Sequence, residues 1–310
     1  MRGSRGKILV IRGGAIGDFI LTLPAIAALR WRFPEARLEV LGYPHIIQLA
    51  VAGGLVNDAR SIEARALAGF FARNGALAQE LADYFSEFDI IVSYLYDPDE
   101  IFATNVRRCS TAQFIAGPHR PDERAGVHAA KVYLRPLERL AIFGADPVPR
   151  LSLNAPHSTL HAPPSTPWLA LHPGSGSERK NWPEANWSDL MQQLLASTQR
   201  NLLLVGGEAE GERLQRLAAA LPPTRVRVAQ SLPLADLAGL LQSCAAFVGH
   251  DSGISHLAAA LGLPGLILWA DTVEEIWRPP SPKVVVVKHP QGIGKLPVQT
   301  VVELIQRSLV

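Results

Sequence analysis

The stretch CAAFVGHDSGISHLAAA, residues 244–260, decides the fold class. Its apolar beginning, residues 244–249, is typical of a buried parallel strand, and the alanine-rich end is typical of a helix. Ser252 is a favoured residue just before a first helical turn. Unpaired N–H groups at such a helix start bind anions, most often phosphate, and His256 lies on the same helix face as Ser252. An ordinary capped helix with a partly buried histidine is the alternative.

The same alternation of strand and helix runs through the rest of the chain. A chain of 310 residues is long for a single core, so we expect two domains. Six prolines interrupt the periodicity between Asp146 and Pro167. We therefore predict an α/β fold with two doubly wound, Rossmann-like domains facing an interdomain cleft. The predicted divisions are an N-terminal acceptor-side domain 1–150, a linker 151–167, a nucleotide-sugar-binding domain 168–297 and a C-terminal helix 298–310.

Composition excludes several classes of protein. The net charge of +2 is too small for a nucleic-acid binder. The two cysteines lie far apart, which argues against a disulfide framework or a zinc cluster and fits a reducing cytoplasm. The sequence contains no run of 18 apolar residues, so we predict no membrane-spanning helix. We expect residues 1–6 to be an unstructured leader.

Four predicted strands end in unusual loops, where α/β proteins bind their ligands. The loops cover Gly13–Asp18, Gly174–Lys180, Gly206–Glu208 and His250–His256. The first does not match the dinucleotide fingerprint, because Arg12 occupies the place of its first glycine. Its carboxylate, Asp18, is either a general base or the N-cap of the next helix.

The second of these loops has the chemistry of a phosphate site. It offers backbone N–H groups, the hydroxyls of Ser175 and Ser177, and the cations Arg179 and Lys180, although it is no Walker A motif. A solvated surface loop is the alternative. Glu208 is placed to accept hydrogen bonds from a ribose, or to favour a helix N-terminus electrostatically.

Two further segments contain residue patterns that occur at metal sites or membrane surfaces. Asp97-Pro98-Asp99 imitates a metal-binding DxD motif, but we expect no metal site. Arg30-Trp31-Arg32-Phe33 could touch a bilayer, although we favour a tryptophan packed on the core with cations at a helix C-terminus. We also predict one continuous helix over residues 127–143.

Four motifs in order resemble glycosyltransferase family 9, the ADP-heptose:lipopolysaccharide heptosyltransferases. They are KILVIRGGAIGDFILTLP (7–24), LHPGSGSERKNWPEANW (171–187), LLLVGGEAE (202–210) and FVGHDSGISHLAAALGLP (247–264). The resemblance implies a GT-B architecture and an inverting, metal-independent transfer without a cofactor. It implies an ADP-heptose donor and a lipid-linked or other glycan acceptor of the lipopolysaccharide core. The enzyme would be cytoplasmic and peripheral at the inner face of the inner membrane.

The resemblance also implies roles for individual residues. Asp18 would be the catalytic base that deprotonates the acceptor. The remaining residues would bind the nucleotide sugar: Ser175 and Gly176 at the phosphates, Lys180 neutralising them, Glu208 at the ribose, Asp251 at the sugar, Ser252 and Gly253 at the phosphates, His256 near sugar and phosphate, and the backbone of residues 232–234 beside the adenine. The segment 94–99 departs from the family pattern and should line the acceptor side.

Two other functions fit the same scaffold. One is a sugar-nucleotide epimerase or hydrolase, which would act without an acceptor. The other is a non-catalytic nucleotide-sugar binder. A nicotinamide oxidoreductase is disfavoured, because the dinucleotide fingerprint fails at Arg12.

Overall fold

A computed structural model describes residues 6–153, 168–208 and 210–309. The chain forms two compact units, the first ending at Pro147 and the second beginning at Val148. Most of the predicted linker, residues 154–167, and nearly all of the predicted leader, residues 1–5, lie outside the described residues.

The first unit is built on a five-stranded parallel sheet in the order β3-β2-β1-β4-β5, as far as the structure describes it. β1 lies at the centre and four of its six side chains are fully apolar and buried, as expected of a strand covered on both faces. The strands are β1 Lys7–Arg12, β2 Arg37–Gly42, β3 Asp58–Ser61, β4 Ile90–Ser93 and β5 Gln113–Ala116.

Helices connect these strands. They are α1 Ile16–Arg32, α2 Pro44–Ala52, α3 Gln79–Ser86, α4 Ile101–Arg107 and α5 Ala129–Leu134, with shorter 3-10 turns at Arg65–Phe71, Glu123–Ala125 and Arg135–Leu140. The prediction of one helix over residues 127–143 is wrong, because the α-helical part stops at Leu134 and continues as a 3-10 turn. Pro136 lacks the N–H that an α-helix needs there, and Ala141 ends the turn with a left-handed φ of 54°.

The second unit carries a six-stranded parallel sheet within the described residues, in the order β8-β7-β6-β9-β10-β11. Its strands are β6 Trp168–His172, β7 Asn201–Gly206, β8 Val226–Gln230, β9 Cys244–His250, β10 Gly265–Leu268 and β11 Val284–Val287. This is the strand order of dinucleotide-binding folds. The chain runs from β6 outward to β8, then returns to the other side of β6 and continues to β11.

Helices connect the strands of the second unit and follow its last strand. They are α6 Glu184–Ser197, α7 Gly211–Ala219, α8 Leu234–Gln242, α9 Gly253–Ala260, α10 Glu274–Trp277 and α11 Val298–Ser308, with 3-10 turns at Glu178–Lys180 and Ile293–Lys295. α6, α7 and α11 bury apolar stripes against one face of the sheet. The fully buried rings of Trp182 and Trp187 pack edge to face there, at 5.5 Å between centroids.

One surface prediction fails at the end of α1. Trp31 is 81% exposed rather than packed on the core. Its neighbour Arg30 instead turns to the backbone, donating hydrogen bonds to the carbonyl oxygens of Leu55 and Ala36. Among the described residues, none of the helices is long and apolar enough to cross a membrane.

Candidate active site

The strand order of the second sheet changes direction between β6 and β9, which are parallel neighbours. β6 is followed by the loop Pro173–Lys180 and β9 by Asp251 and Ser252, so both segments leave the sheet at neighbouring carboxyl ends. In open parallel sheets this crevice is where ligands bind. The two phosphate motifs predicted from the sequence therefore lie next to each other.

His250, the last residue of β9, connects the two motifs through hydrogen bonds to the loop after β6. The backbone N–H of Trp182 donates to its Nε2 at 2.8 Å, so Nδ1 carries the proton and donates to the carbonyl oxygen of Gly174 at 3.2 Å. Burial lowers the pKa of His250 to about 3, so the ring is neutral at physiological pH. One imidazole thus fixes both ends of the loop that contains Ser175 and Lys180.

The loop itself is shaped for a close backbone approach. Gly176 has a left-handed φ of 72°, and the place where a Cβ would stand is open on that side. At Gly174, a Cβ would lie 2.3 Å from the Cγ of Glu210, so a larger residue there would displace the Glu210 side chain. The Oγ of Ser175 lies 2.8 Å from the carbonyl oxygen of Ser177 and 2.7 Å from Oδ1 of Asn181, and donates its proton within the loop.

Lys180 and Asp251 form an ion pair across the crevice. The Nζ of Lys180 lies 2.7 Å from Oδ2 of Asp251, whose side chain is only 8% exposed. The hydroxyl of Thr272, which follows β10, donates to the same oxygen. A buried carboxylate that accepts from two donors is held in one orientation.

The start of α9 completes this crevice. Ser252 is the N-cap: its Oγ accepts a hydrogen bond from the N–H of Ser255 at 3.4 Å, and Gly253 is the first helical residue. The same Oγ lies 3.2 Å from Nδ1 of His172 at the end of β6. His256 is buried in the first turn, with its N–H donating to the carbonyl oxygen of Ser252 at 3.3 Å. The first-turn N–H groups of α9 are directed out of its N-terminus, toward the crevice.

His172 sits beneath the crevice and was not predicted as a site residue. Burial lowers its pKa to about 4, although the nearby carboxylate of Glu210 acts in the opposite direction. Glu210 accepts a hydrogen bond from the N–H of Gly207 at 2.9 Å and fills the space beside Gly174. Glu210 and His172 both belong to quoted motifs, but their burial could not be read from the sequence.

Glu208 lies apart from this group. It is exposed after β7, where its carbonyl oxygen accepts a hydrogen bond from the N–H of Gly211 at 3.1 Å. It borders a surface pocket lined also by Gln215 and Gln230. This position is one strand away from β6, at the same edge of the sheet.

In the first unit, Asp18 is held at the end of β1. The helix α1 begins at Ile16 with Ala15 as its N-cap, so Asp18 is the third helical residue and the N-cap alternative is wrong. Its Oδ2 accepts a hydrogen bond from the N–H of Ala15 at 3.1 Å. Its Oδ1 faces the hydroxyl of Tyr133 at 3.4 Å, and the Asp18 side chain as a whole is 26% exposed.

Arg12 is the cation beside this carboxylate, although its only predicted significance was that it departs from the dinucleotide fingerprint. Its Nη2 lies 3.4 Å from Oδ1 of Asp18, and the side chain is only 2% exposed. Nη1 donates to the carbonyl oxygens of His119, at 2.8 Å, and of Tyr94, at 3.3 Å. A charged residue ending an otherwise apolar strand was the available signal.

Tyr133 covers the Arg12 guanidinium, whose carbon lies 4.5 Å from the ring centroid. Burial raises the pKa of Tyr133 to about 12, with Arg12 opposing and Asp18 supporting the rise. The phenol therefore stays protonated and donates toward Asp18. Burial likewise raises the pKa of Tyr94, whose hydroxyl donates to the carbonyl oxygen of Tyr133 at 2.6 Å.

The DxD-like segment has a structural use. The two carboxylate oxygens of Asp97 accept hydrogen bonds from the N–H groups of Phe102, at 3.1 Å, and Ala103, at 2.9 Å. Asp99 faces Arg73, with 3.8 Å between charged atoms. Asp97 thus caps α4, a helix that the sequence analysis did not predict.

Comparison with known proteins decides the family. The family described as glycosyltransferase family 9 (heptosyltransferase) matches residues 137–301, more than half of the chain. The chain belongs to glycosyltransferase family 9. The resemblance predicted from the four motifs is thereby confirmed, and the chain is a glycosyltransferase of this family.

Curated relatives of this family 9 enzyme include lipopolysaccharide heptosyltransferase 1 of Pseudomonas aeruginosa. It is 39% identical over 36% of this chain and 31% of the relative. Lipopolysaccharide heptosyltransferase 3 of Escherichia coli is 22% identical over 85% of this chain and 83% of the relative. The stronger identity is therefore confined to about a third of each protein.

Solved structures show the fold. E. coli ADP-heptose lps heptosyltransferase II superimposes with a TM-score of 0.79 at 20% identity, over 98% of both chains. E. coli heptosyltransferase WaaC with ADP gives 0.76 at 18% identity, over 97% of this chain and 99% of that one. The predicted architecture, two parallel α/β sheets of the GT-B type, is confirmed.

Proposed function

We propose that this family 9 enzyme transfers heptose from ADP-heptose to a glycan acceptor of the lipopolysaccharide core type. The observation that carries the proposal is the pair of anion-binding segments at the β6–β9 crevice, joined by His250 and by the Lys180–Asp251 ion pair. Relatives named as lipopolysaccharide heptosyltransferases support the sugar, and a solved relative that contains ADP supports the nucleotide.

The donor diphosphate would bind between the Gly174–Lys180 loop and the start of α9. Backbone N–H groups at Ser175 and Gly176 approach it from one side, and those of the α9 first turn, with Ser252 and Gly253, from the other. Lys180 supplies the positive charge. As the diphosphate leaves, these groups stabilise the growing negative charge without any requirement for a metal ion.

The Asp251 carboxylate and the donor diphosphate would compete for the ammonium group of Lys180. Without donor it pairs with Asp251, which Thr272 also holds. When a diphosphate takes up the lysine, Asp251 keeps the Thr272 hydrogen bond and gains a free acceptor position. That position suits a hydroxyl of the donor sugar, beside which His256 would also lie. Glu208 and the backbone of residues 232–234 would then contact the ribose and the adenine.

Asp18 would act as the general base. The acceptor hydroxyl oxygen forms a bond to the anomeric carbon, the bond from that carbon to the diphosphate oxygen breaks, and the hydroxyl proton passes to Oδ1 of Asp18. Attack opposite to the leaving group inverts the anomeric configuration. Arg12 and Tyr133 keep the partly exposed carboxylate oriented while it receives the proton.

A lipid-linked acceptor would bring the enzyme to a membrane surface. We propose that such contact is peripheral and involves the end of α1, where Trp31 is 81% exposed next to Arg32. Trp and Arg side chains at an interface place an apolar ring among acyl chains and a cation among headgroups. Loss of vesicle binding by Trp31→Ala tests this contact.

Nucleotide preference tests the donor. Titration calorimetry with ADP, UDP and GDP should show clear preference for ADP, and preference for UDP or GDP would contradict the ADP-heptose proposal. With ADP-heptose and heptose-free lipopolysaccharide, NMR of the product should show an inverted anomeric centre. Acceptor-independent release of free sugar at the full rate would favour a hydrolase, and binding without any turnover would favour a non-catalytic binder.

A further inference from the structure

The carboxyl edge of the first sheet carries an exposed pair of aromatic rings. The ring of Tyr96 is packed edge to face against the imidazole of His119, with 4.6 Å between centroids. Tyr96 follows β4 and His119 follows β5, so two loops meet at this pair. Tyr96 nevertheless leaves 71% of its surface exposed. The unit thus presents an uncovered aromatic ring at the edge where parallel sheets bind ligands.

The pair is tied to Asp18 through a single side chain. The Arg12 guanidinium donates to the carbonyl oxygens of Tyr94 and His119 through Nη1 and faces Asp18 through Nη2. The segment after β4 also lies against the loop after β1, because a Cβ on Gly13 would stand 3.5 Å from Cδ2 of Leu95. The loops that carry the rings are therefore immediate neighbours of the Asp18 loop.

The surrounding contacts hold the Tyr96 ring outward. Tyr94 is buried, with its hydroxyl bonded to the backbone of Tyr133, and Asp97 is bonded to the start of α4. The residues on both sides of Tyr96 are thus anchored. An exposed aromatic residue is common on protein surfaces and has no meaning by itself. Here the backbone is fixed at both ends, so the ring is held near one place.

We infer that Tyr96, supported by His119, is the platform on which the acceptor sugar ring rests while Asp18 receives its proton. The inference rests on the proposed function, since it assumes that the acceptor hydroxyl approaches Asp18. The C–H groups on one face of a pyranose carry slight positive charge, and the face of an aromatic ring carries negative charge. A phenol ring next to the base therefore binds the apolar face of a sugar and aims its hydroxyl groups at the carboxylate.

Acceptor binding tests the platform without any turnover. The probe is the de-acylated oligosaccharide of lipopolysaccharide from an E. coli strain that lacks heptosyltransferase 1, and binding is followed by NMR titration in the absence of donor. Tyr96→Ala should weaken this binding about tenfold, whereas Tyr96→Phe should retain it because the ring remains. In transfer assays, Tyr96→Ala should raise the KM for the acceptor and leave the KM for ADP-heptose unchanged.

Phe143→Ala is the matched control. Phe143 is as exposed as Tyr96, at 71%, in the same unit, but it follows the 3-10 turn Arg135–Leu140 and belongs to neither the loop after β4 nor the loop after β5. This variant should bind the de-acylated probe like the wild type. Unchanged binding by Tyr96→Ala would overturn the platform, as would no binding by the wild-type enzyme. If Tyr96→Phe lost as much binding as Tyr96→Ala, the hydroxyl and not the ring would be responsible. ADP titration separates these outcomes from failure of the proposed function, because it measures the other unit alone.

Discussion

The ammonium group of Lys180 and the carboxylate of Asp251 lie 2.7 Å apart, although 71 residues separate them in the chain. Each residue comes from a different loop at the crevice of the second sheet. The pair keeps a buried acidic group neutralised in the absence of donor. Donor binding would therefore replace the Lys180–Asp251 ion pair with one between Lys180 and the diphosphate, because Lys180 is already paired without donor.

Lys180→Ala is expected to weaken ADP binding by roughly tenfold to a hundredfold, the usual cost of losing a hydrogen bond to a charged group. Titration calorimetry of the whole protein measures the change. Arg179→Ala is the control, because Arg179 is the adjacent, exposed cation. The Arg179→Ala enzyme should bind ADP with the affinity of the wild type. Equal loss in the two variants would mean that net charge, and not the position of Lys180, determines binding.

Asp18→Asn is expected to lower kcat by about 10²–10⁴-fold, the usual contribution of a general base. The amide oxygen can still accept the hydrogen bond from Ala15, so the start of α1 should be preserved. Kinetics with ADP-heptose and acceptor measure the rate, and calorimetry should show unchanged ADP affinity. Loss of ADP binding in this variant would contradict the assignment of donor and acceptor roles to the two units.

Arg12→Ala is expected to cost about 2–4 kcal/mol of stability, less than a fully buried ion pair would, because Asp18 is partly exposed. Two backbone carbonyl groups also lose their donor. Arg12→Lys keeps the charge but cannot reach three partners at once, so kcat should fall even where the fold is retained. Urea unfolding and steady-state kinetics measure the two effects. Normal kcat in a folded Arg12→Lys enzyme would exclude a positioning role.

Acid should destabilise the second unit through its buried histidines. The pKa values of His250, about 3, and His172, about 4, lie below the value of about 6.5 in an unfolded chain. The unfolded chain therefore binds more protons as the pH falls below about 6.5, and the stability present at neutral pH declines from there toward pH 4. Each ring contributes up to about 1.4 kcal/mol per pH unit.

Urea unfolding at pH values from 7.5 to about 5 measures this slope. Tryptophan fluorescence reports mainly the second unit, because five of the six tryptophans follow Val148 in the sequence. His250→Gln should flatten the dependence, whereas His45→Gln, at an exposed position of the first unit, should not. An unchanged slope in His250→Gln would show that this ring does not stay neutral in the folded state.

Much of the fold could be predicted because buried parallel strands are nearly continuous apolar runs. The strand predicted over residues 244–249 is β9, which ends one residue later, at His250. Helices whose ends depend on tertiary contacts were harder to predict from the sequence. α4 begins only because Asp97 reaches forward to its first N–H groups, and the predicted helix over 127–143 ignored Pro136.

Several individual residues of the candidate site were predicted, but the contacts between them were not. Lys180 and Ser252 were named from local chemistry and Asp251 from the family resemblance, but the sequence does not show which of them are in contact. Arg12, His172 and His250 were missed as site residues because their roles come from burial. A histidine in a polar motif suggests a ligand contact, while its observed neighbours assign His250 to holding the loop.

The two units have similar sheets but differ in what fills the reversal point. In the first, the strands β1 and β4 meet where Arg12 extends its guanidinium, already paired with Asp18 and two carbonyl groups. In the second, the corresponding strands β6 and β9 end in His172 and His250, both neutral. The first crevice thus holds its cation, Arg12, in a buried set of internal contacts, whereas the cation of the second crevice, Lys180, lies on a loop where an external anion can compete with Asp251. Nucleotide titration should accordingly saturate at one equivalent per chain.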